Sequence, residues 1–178
     1  MTHTVRVWDP LVRLFHWSLA VLFIANSWLI PGDYRAHIFI GYGVMGLVFI
    51  RLIWGVIGTR FARFSSFPLS LSAARKHAKE MLERRRGELH LSHNPLGALM
   101  IYNMLITLVL ISITGLMADS NAFWGVDWVK ELHELVANYL AWCVGLHLIG
   151  VVWETRQTKV NLVRAMVTGD KEIPGTGR

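Results

Sequence analysis

Four histidines, His16, His37, His133 and His147, lie within or at the ends of long apolar runs. An ionisable side chain is costly in such surroundings unless it has a partner or a task. Their spacing is informative. His133 and His147 are fourteen positions apart, so on one helix they sit ~21 Å apart along the axis and within ~40° of the same face. A single helix could therefore offer one ligand to each of two stacked cofactors. His16 and His37 fall on two other apolar segments, each at the depth of one member of that pair. The four imidazoles thus divide into two pairs, His16 with His147 and His37 with His133, and none is left over.

Two facing imidazoles are what a porphyrin iron requires of a protein, because the macrocycle supplies four nitrogens and the protein only the fifth and sixth ligands. Zinc or copper calls for three or four protein ligands gathered at one point. Neither level has a third candidate, apart from Glu134 beside His133. The sequence therefore predicts two haem groups, ahead of a haem-free metal transporter using the same histidines and of histidines that are merely structural. With both axial positions filled by protein, electron transfer follows rather than oxygen chemistry.

The elements that must carry these ligands are long and apolar. Of 178 residues, 53% are hydrophobic and 17% charged, and the mean hydropathy is +0.41, all displaced from soluble domains toward membrane proteins. Four segments approach the ~20 residues that cross a hydrocarbon core: 11–30, 37–58, 97–117 and 132–153. Apolar segments of this length must be helices, since lipid offers no partner to free backbone amides. The expected fold is an all-α membrane protein, a single-domain four-transmembrane-helix bundle covering 1–178. Pro31 and Gly32 close the first segment, and the short turn to Ala36 makes the first two helices antiparallel neighbours. Arg6 and Arg13 before the first segment imitate a signal peptide, but its length and its His16 and Trp17 favour a retained helix. Cys143, the single cysteine, cannot form an intrachain disulfide and reads as packing.

The net charge of +6 does not indicate nucleic acid, because the basic residues collect between apolar runs. The stretch Thr59 to Asn94 holds Arg60, Arg63, Arg75, Lys76, Lys79, Arg84, Arg85 and Arg86 against Glu80, Glu83 and Glu88. The tail adds Arg156, Lys159, Arg164, Lys171 and Arg178. The turns 31–36 and 118–131 carry only Arg35 and Lys130. The positive-inside bias then places both termini and the long loop in the cytoplasm, with the two short turns outside. His16 and His147 fall in the cytoplasmic half, His37 and His133 in the periplasmic half. Ser70 to Gly87 is expected to form an amphipathic cytoplasmic helix between helices 2 and 3, with Ser70 or Ser72 as its cap.

Further residues suit a cofactor. Gly41, Gly43, Gly46, Gly145 and Gly150 near the histidines give a flat ring access to the backbone, or else allow close helix contact. Haem propionates need cations: Arg13 and Arg51 are placed for the cytoplasmic-side haem, Arg35 and Lys130 for the periplasmic-side one, though interfacial anchoring explains Arg13, Arg35 and Lys130 equally well. His77, His90 and His93 belong to the loop, where histidine carries no penalty. His93 and Asn94 could start the third helix or shape a quinone headgroup site.

The segments VWDPLVRLFHW (Val7 to Trp17), HIFIGYGVMGLVFIRLIWGVIG (His37 to Gly58), HNPLGALMIYNMLITLVLISITGLM (His93 to Met117) and LHELVANYLAWCVGLHLIG (Leu132 to Gly150) resemble the prokaryotic cytochrome b561 family. They are also similar to the related b-type cytochrome subunit of nickel-iron hydrogenases. The resemblance implies two b-type haems in a four-helix bundle that moves electrons between quinone or quinol and a redox partner, such as a periplasmic c-type cytochrome. Its haem ligands fall on His16, His37, His133 and His147. The short outer turns favour the small stand-alone members over hydrogenase subunits. Two other roles remain open: a haem-bearing anchor of a larger dehydrogenase or hydrogenase, and a quinone-linked oxidoreductase acting alone on quinol or superoxide.

Overall fold

The computed structural model describes residues 2–32, 34–83 and 93–174. Four of its helices are long and apolar enough to cross a membrane. Helix α1 (Pro10–Ile24) starts with proline at a position that needs no amide and with Asp9 as cap, its carboxylate accepting from the Val12 amide at 2.9 Å. Its last turn widens over Ala25–Leu29, where the Ile30 amide bonds the Ala25 carbonyl at 3.0 Å, just before Pro31 ends the run. Helix α2 is Arg35–Ile57. The shorter α3 (Leu71–Leu82) follows, with the Ser70 hydroxyl accepting from the Ala73 amide. Helix α4 (Pro95–Asp119) repeats the device of α1, with Asn94 capping Gly97 at 2.6 Å and Pro95 in the first turn.

Helix α5 (Asp127–Thr158) has 32 residues, about 48 Å of helix against a hydrocarbon core of about 30 Å. The expected span 132–153 is its apolar middle. The extra turns carry Asp127, Lys130 and Glu131 at one end and Glu154 and Arg156 at the other, charges that belong in water. The other three helices likewise run to within two residues of the expected spans or slightly past them.

The helices pack in a chain, α1 on α2, α2 on α4 and α4 on α5. Their outward faces are apolar: Phe39, Val56, Ile149 and Trp142 are exposed, the last at 76%. Such surface suits lipid and not water. The interior is held by Val44, Val48, Leu108 and Leu140, with Leu19, Leu22, Phe23 and Ile40 around them. Helix α3 lies on α4 with Ala74 and His77 buried. Its ion pairs Lys76–Glu80 and Lys79–Glu83, each at 3.9 Å, face outward. The expected continuation of this helix to Gly87 lies outside the described residues.

At one end of the bundle the two termini are tied together, a feature the sequence reading did not foresee. Strand β1 (Thr2–Arg6) pairs antiparallel with β2 (Asp170–Pro174), in register from Thr2 with Pro174 to Arg6 with Asp170. Between α5 and β2 lies α6 (Leu162–Thr168), capped by Asn161. The Val7 and Trp8 amides both donate to the Gly169 carbonyl, at 3.0 and 3.1 Å, and Trp17 Nε1 donates to Met166 O at 3.3 Å. Gly169 has φ of +92°, and a Cβ there would meet the Trp8 carbonyl at 2.7 Å, so only glycine fits. Val7, Trp8, Val12, Ala62 and Ala165 form a small core beneath.

Asp9 joins this cap to the bundle. Besides capping α1 it accepts from Trp54 Nε1 at 3.0 Å and from the Thr59 hydroxyl, both at the far end of α2. Burial alone would raise its carboxyl, but the bonds from Thr59, Val12 and Trp54 outweigh that and hold it below the usual range. The resulting stabilisation is complete above pH about 4 and is lost only as pH falls further. Asp9→Ala should lower stability by about 2–3 kcal/mol, read from thermal unfolding in detergent at pH 7. An unchanged midpoint would remove this tie from the account.

Candidate functional site

Helical periodicity aligns the four histidines. On α5, His133, Leu140 and His147 follow one another at seven-residue steps, and Leu140, 1% exposed, separates the two imidazoles with aliphatic packing. On α2 the same step runs from His37 through Val44 to Arg51. His16 lies on α1, near the end that carries the termini, and faces His147 with ring centroids 6.4 Å apart and planes at 57°. His37 and His133 face one another at the opposite end, 6.2 Å apart and at 75°.

These separations discriminate between contacts. Two imidazoles joined by a hydrogen bond of ~2.9 Å would have centroids ~5.2 Å apart. Two imidazoles on one metal, each through a nitrogen bond of ~2 Å, would have them ~6.3 Å apart. Both pairs lie near the second separation and are too far apart for a direct hydrogen bond. The backbones agree: among the described residues, α1 and α5 make no close packing contact of the kind that joins the neighbouring helices, nor do α2 and α5. The two helix pairs that share histidines are thus not packed neighbours. A Cβ built on Gly41, Gly46, Gly145 or Gly150 would meet nothing within 4 Å, which favours room beside the histidines over close helix contact at these glycines. Gly43 meets Leu22 at an ordinary 3.7 Å.

The ring nitrogens are also set. His133 Nδ1 lies 2.9 Å from the Thr114 hydroxyl, which donates its single proton to the Ile111 carbonyl at 3.1 Å. With that proton on Ile111, the hydroxyl accepts from Nδ1–H, which leaves the Nε2 lone pair of His133 for a ligand bond. A Cβ on Gly115 would lie 3.2 Å from His133 Cε1, so this ring is closely bounded. Nδ1 of His16 and of His37 is buried without a hydrogen-bond partner. Among the described residues no three His, Cys, Asp or Glu side chains converge to hold a metal ion. Each pair therefore fits a group that brings its own equatorial ligands, as a porphyrin does.

The cations separate by end. Arg51 is 5% exposed. Its Nη2 donates to Ala62 O at 3.2 Å, its guanidinium lies 5.0 Å over the Phe64 ring, and its Nη1 is buried without a partner. Arg13 donates to the Val167 carbonyl, binding α1 to α6, while its Nε is buried and unpartnered. Arg35 and Lys130 are exposed at the opposite end. His90 lies outside the described residues.

Two residues differ from the sequence reading. His93, expected in a solvated loop, is half-buried by area yet packed between Trp8 and Phe67, with centroids at 4.8 and 4.5 Å. Burial, then the positive charges of Arg51 and Lys171 and the nearby His147, push its pKa down to about 3, so this imidazole stays neutral at pH 7. Asn94 beside it is the α4 cap. Lys171, which sequence reasoning passed over as one charge in a basic tail, is 7% exposed, and burial lowers its pKa while Glu154 opposes the shift. Only its place in β2 reveals it, and a five-residue strand has no periodicity to read.

The family model for prokaryotic cytochrome b561 matches residues 7–169. The chain belongs to this family. It is accordingly a multi-pass membrane cytochrome of the b type, a haem protein of transmembrane electron transfer. No match was found among curated proteins or solved structures. If His133 is a haem ligand, Thr114→Val, which keeps the volume and removes the hydroxyl, should weaken haem retention by about 10–100-fold. The check is haem loss on titration with apomyoglobin, and retention equal to the parent protein would dismiss the role of Thr114.

Proposed function

We propose that the protein carries single electrons across the bacterial inner membrane through two b-type haems. His16 and His147 would hold the inner haem, on the cytoplasmic side with the termini, and His37 and His133 the outer haem. The observation that carries this reading is the pair of histidine facings, each at the spacing two imidazoles adopt around one metal, on a last helix common to both. Haem, when bound, supplies a one-electron change at an iron whose axial positions are both taken by protein.

The chain's own residues do the remainder. Thr114 orients His133. Leu140, Val44, Val48 and Leu108 keep water out of the space between the two levels, which lie ~21 Å apart along α5. The basic 59–94 loop and tail support cytoplasmic termini. We further assign quinone or quinol as one redox partner and a periplasmic redox protein, such as a c-type cytochrome, as the other. The absence of a third ligand beside either pair among the described residues counts against a haem-free metal transporter.

The test is electron transfer across a sealed membrane. Proteoliposomes holding ferricyanide inside and given a quinol outside should reduce the trapped acceptor only when the cytochrome is present. Equal rates with and without protein would defeat the proposal.

A further inference from the structure

Two buried polar atoms near the His133 end of the bundle have complementary needs. Nδ1 of His37 and Oδ1 of Asn26 are both buried and make no hydrogen bond, and among the described residues they are the only such side-chain atoms at this end. With Nε2 of His37 given to a metal, Nδ1 carries the ring proton and requires an acceptor, while an amide oxygen can only accept. Buried polar atoms left unpaired are costly and call for an explanation. Asn26 lies in the wide turn Ala25–Leu29, and single wide turns of this kind recur at functional sites.

The packing puts the two residues on facing stripes. Leu19, Leu22 and Phe23 of α1 and Ile40, Val44 and Val48 of α2 share one core cluster. Asn26 follows Phe23 by three positions and Leu22 by four, and His37 precedes Ile40 by three and Val44 by seven, so each continues the inward stripe of its helix by one turn. The depths agree as well. A Cβ on Gly43 would lie 3.7 Å from the Leu22 side chain, which sets the antiparallel register of α1 on α2. Four residues on from Leu22, at Asn26, the opposite position is 39, two residues or ~3 Å along the axis from His37. The wide turn itself packs on α2. We propose that Asn26 is a positioning residue of the outer haem, its side-chain oxygen accepting the Nδ1 proton of His37 as the Thr114 hydroxyl does that of His133. The proposal rests on the reading that His37 and His133 hold this haem. An acceptor on Nδ1 raises the basicity of the ligating Nε2, and a more basic ligand favours ferric over ferrous iron. Asn26 therefore lowers the potential of the outer haem.

Redox titration of the purified holoprotein tests this, the outer midpoint being the one missing from His133→Ala. Asn26→Leu, which keeps the size and removes the acceptor, should raise the outer midpoint and leave the inner one in place. A roughly tenfold loss of the preference for ferric iron, the order expected for such a partner, is a rise of about 59 mV. The low-temperature electron paramagnetic resonance signal of the same haem should shift with it. Ser27→Ala, in the same wide turn but exposed, should change neither midpoint. An outer midpoint that stays in place in Asn26→Leu, or two midpoints that move together, overturns the proposal. Asn26→Asp keeps the acceptor and serves where the Leu variant does not fold: its outer midpoint should lie at or below that of the parent protein, and a rise overturns the proposal. A wild-type protein from which His133→Ala removes no haem would instead refute the reading of His37 and His133 as a haem pair.

Discussion

His133→Ala should yield a folded protein with one haem in place of two. The substitution removes one axial ligand of the outer pair and leaves His16 and His147 facing each other at 6.4 Å, so the haem absorbance per chain should fall to about half. His37→Ala should have the same effect, and the double variant should be no worse than either single one, because on the proposed pairing the two imidazoles serve a single iron. His133→Ala combined with His16→Ala should lose both haems. Quantitative haem extraction checks all of these. A His133→Ala protein that retained two haems would remove His133 from the ligand set, and one whose remaining haem depended on His37 would reverse the pairing.

His147→Ala should be the more damaging change. It also removes one haem, now the inner one, but the consequences extend to folding. On the proposed reading the haem carboxylates meet the buried Arg51, whose Nη1 has no hydrogen-bond partner in the protein, and breaking such a buried pairing costs about 3–5 kcal/mol. His133→Ala has no such consequence, since Arg35 and Lys130 at its end are exposed. The expected result is a His147→Ala protein with a markedly lower unfolding midpoint in detergent than His133→Ala. Equal midpoints for the two variants would mean that the cofactor does not meet the Arg51 charge.

The parts of this protein that were legible in the sequence are those that lipid dictates. A run of apolar residues interrupted by one histidine is a costly arrangement, and a fourteen-residue interval on a helix returns to the same face, so the spans and the facing of His133 and His147 could be read directly. Arg51 was legible for the same reason, as a charge within an apolar run. What escaped is set by contacts between distant segments. The strands β1 and β2 are five residues each and lie at opposite ends of the chain, so neither pattern nor propensity announces their pairing. Lys171 is hidden with them. His93 looked solvated because its neighbours in sequence are polar, yet its neighbours in space are Trp8 and Phe67. Arg13, one turn before His16, shows the converse: its position suggested a cofactor, and the fold also gives it the Val167 carbonyl. The length of α5 exceeded the expected span because charged turns can continue a helix into water, where hydropathy no longer marks it.

The central claim is that two histidine pairs grip two haems, one at each level of the bundle. It is tested most directly by measuring haem per polypeptide in the purified protein, alongside low-temperature electron paramagnetic resonance of the oxidised form. The account predicts two haem b per chain, both low-spin with bis-imidazole ligation. A colourless protein, a single haem, or a high-spin centre with an open axial position would contradict it.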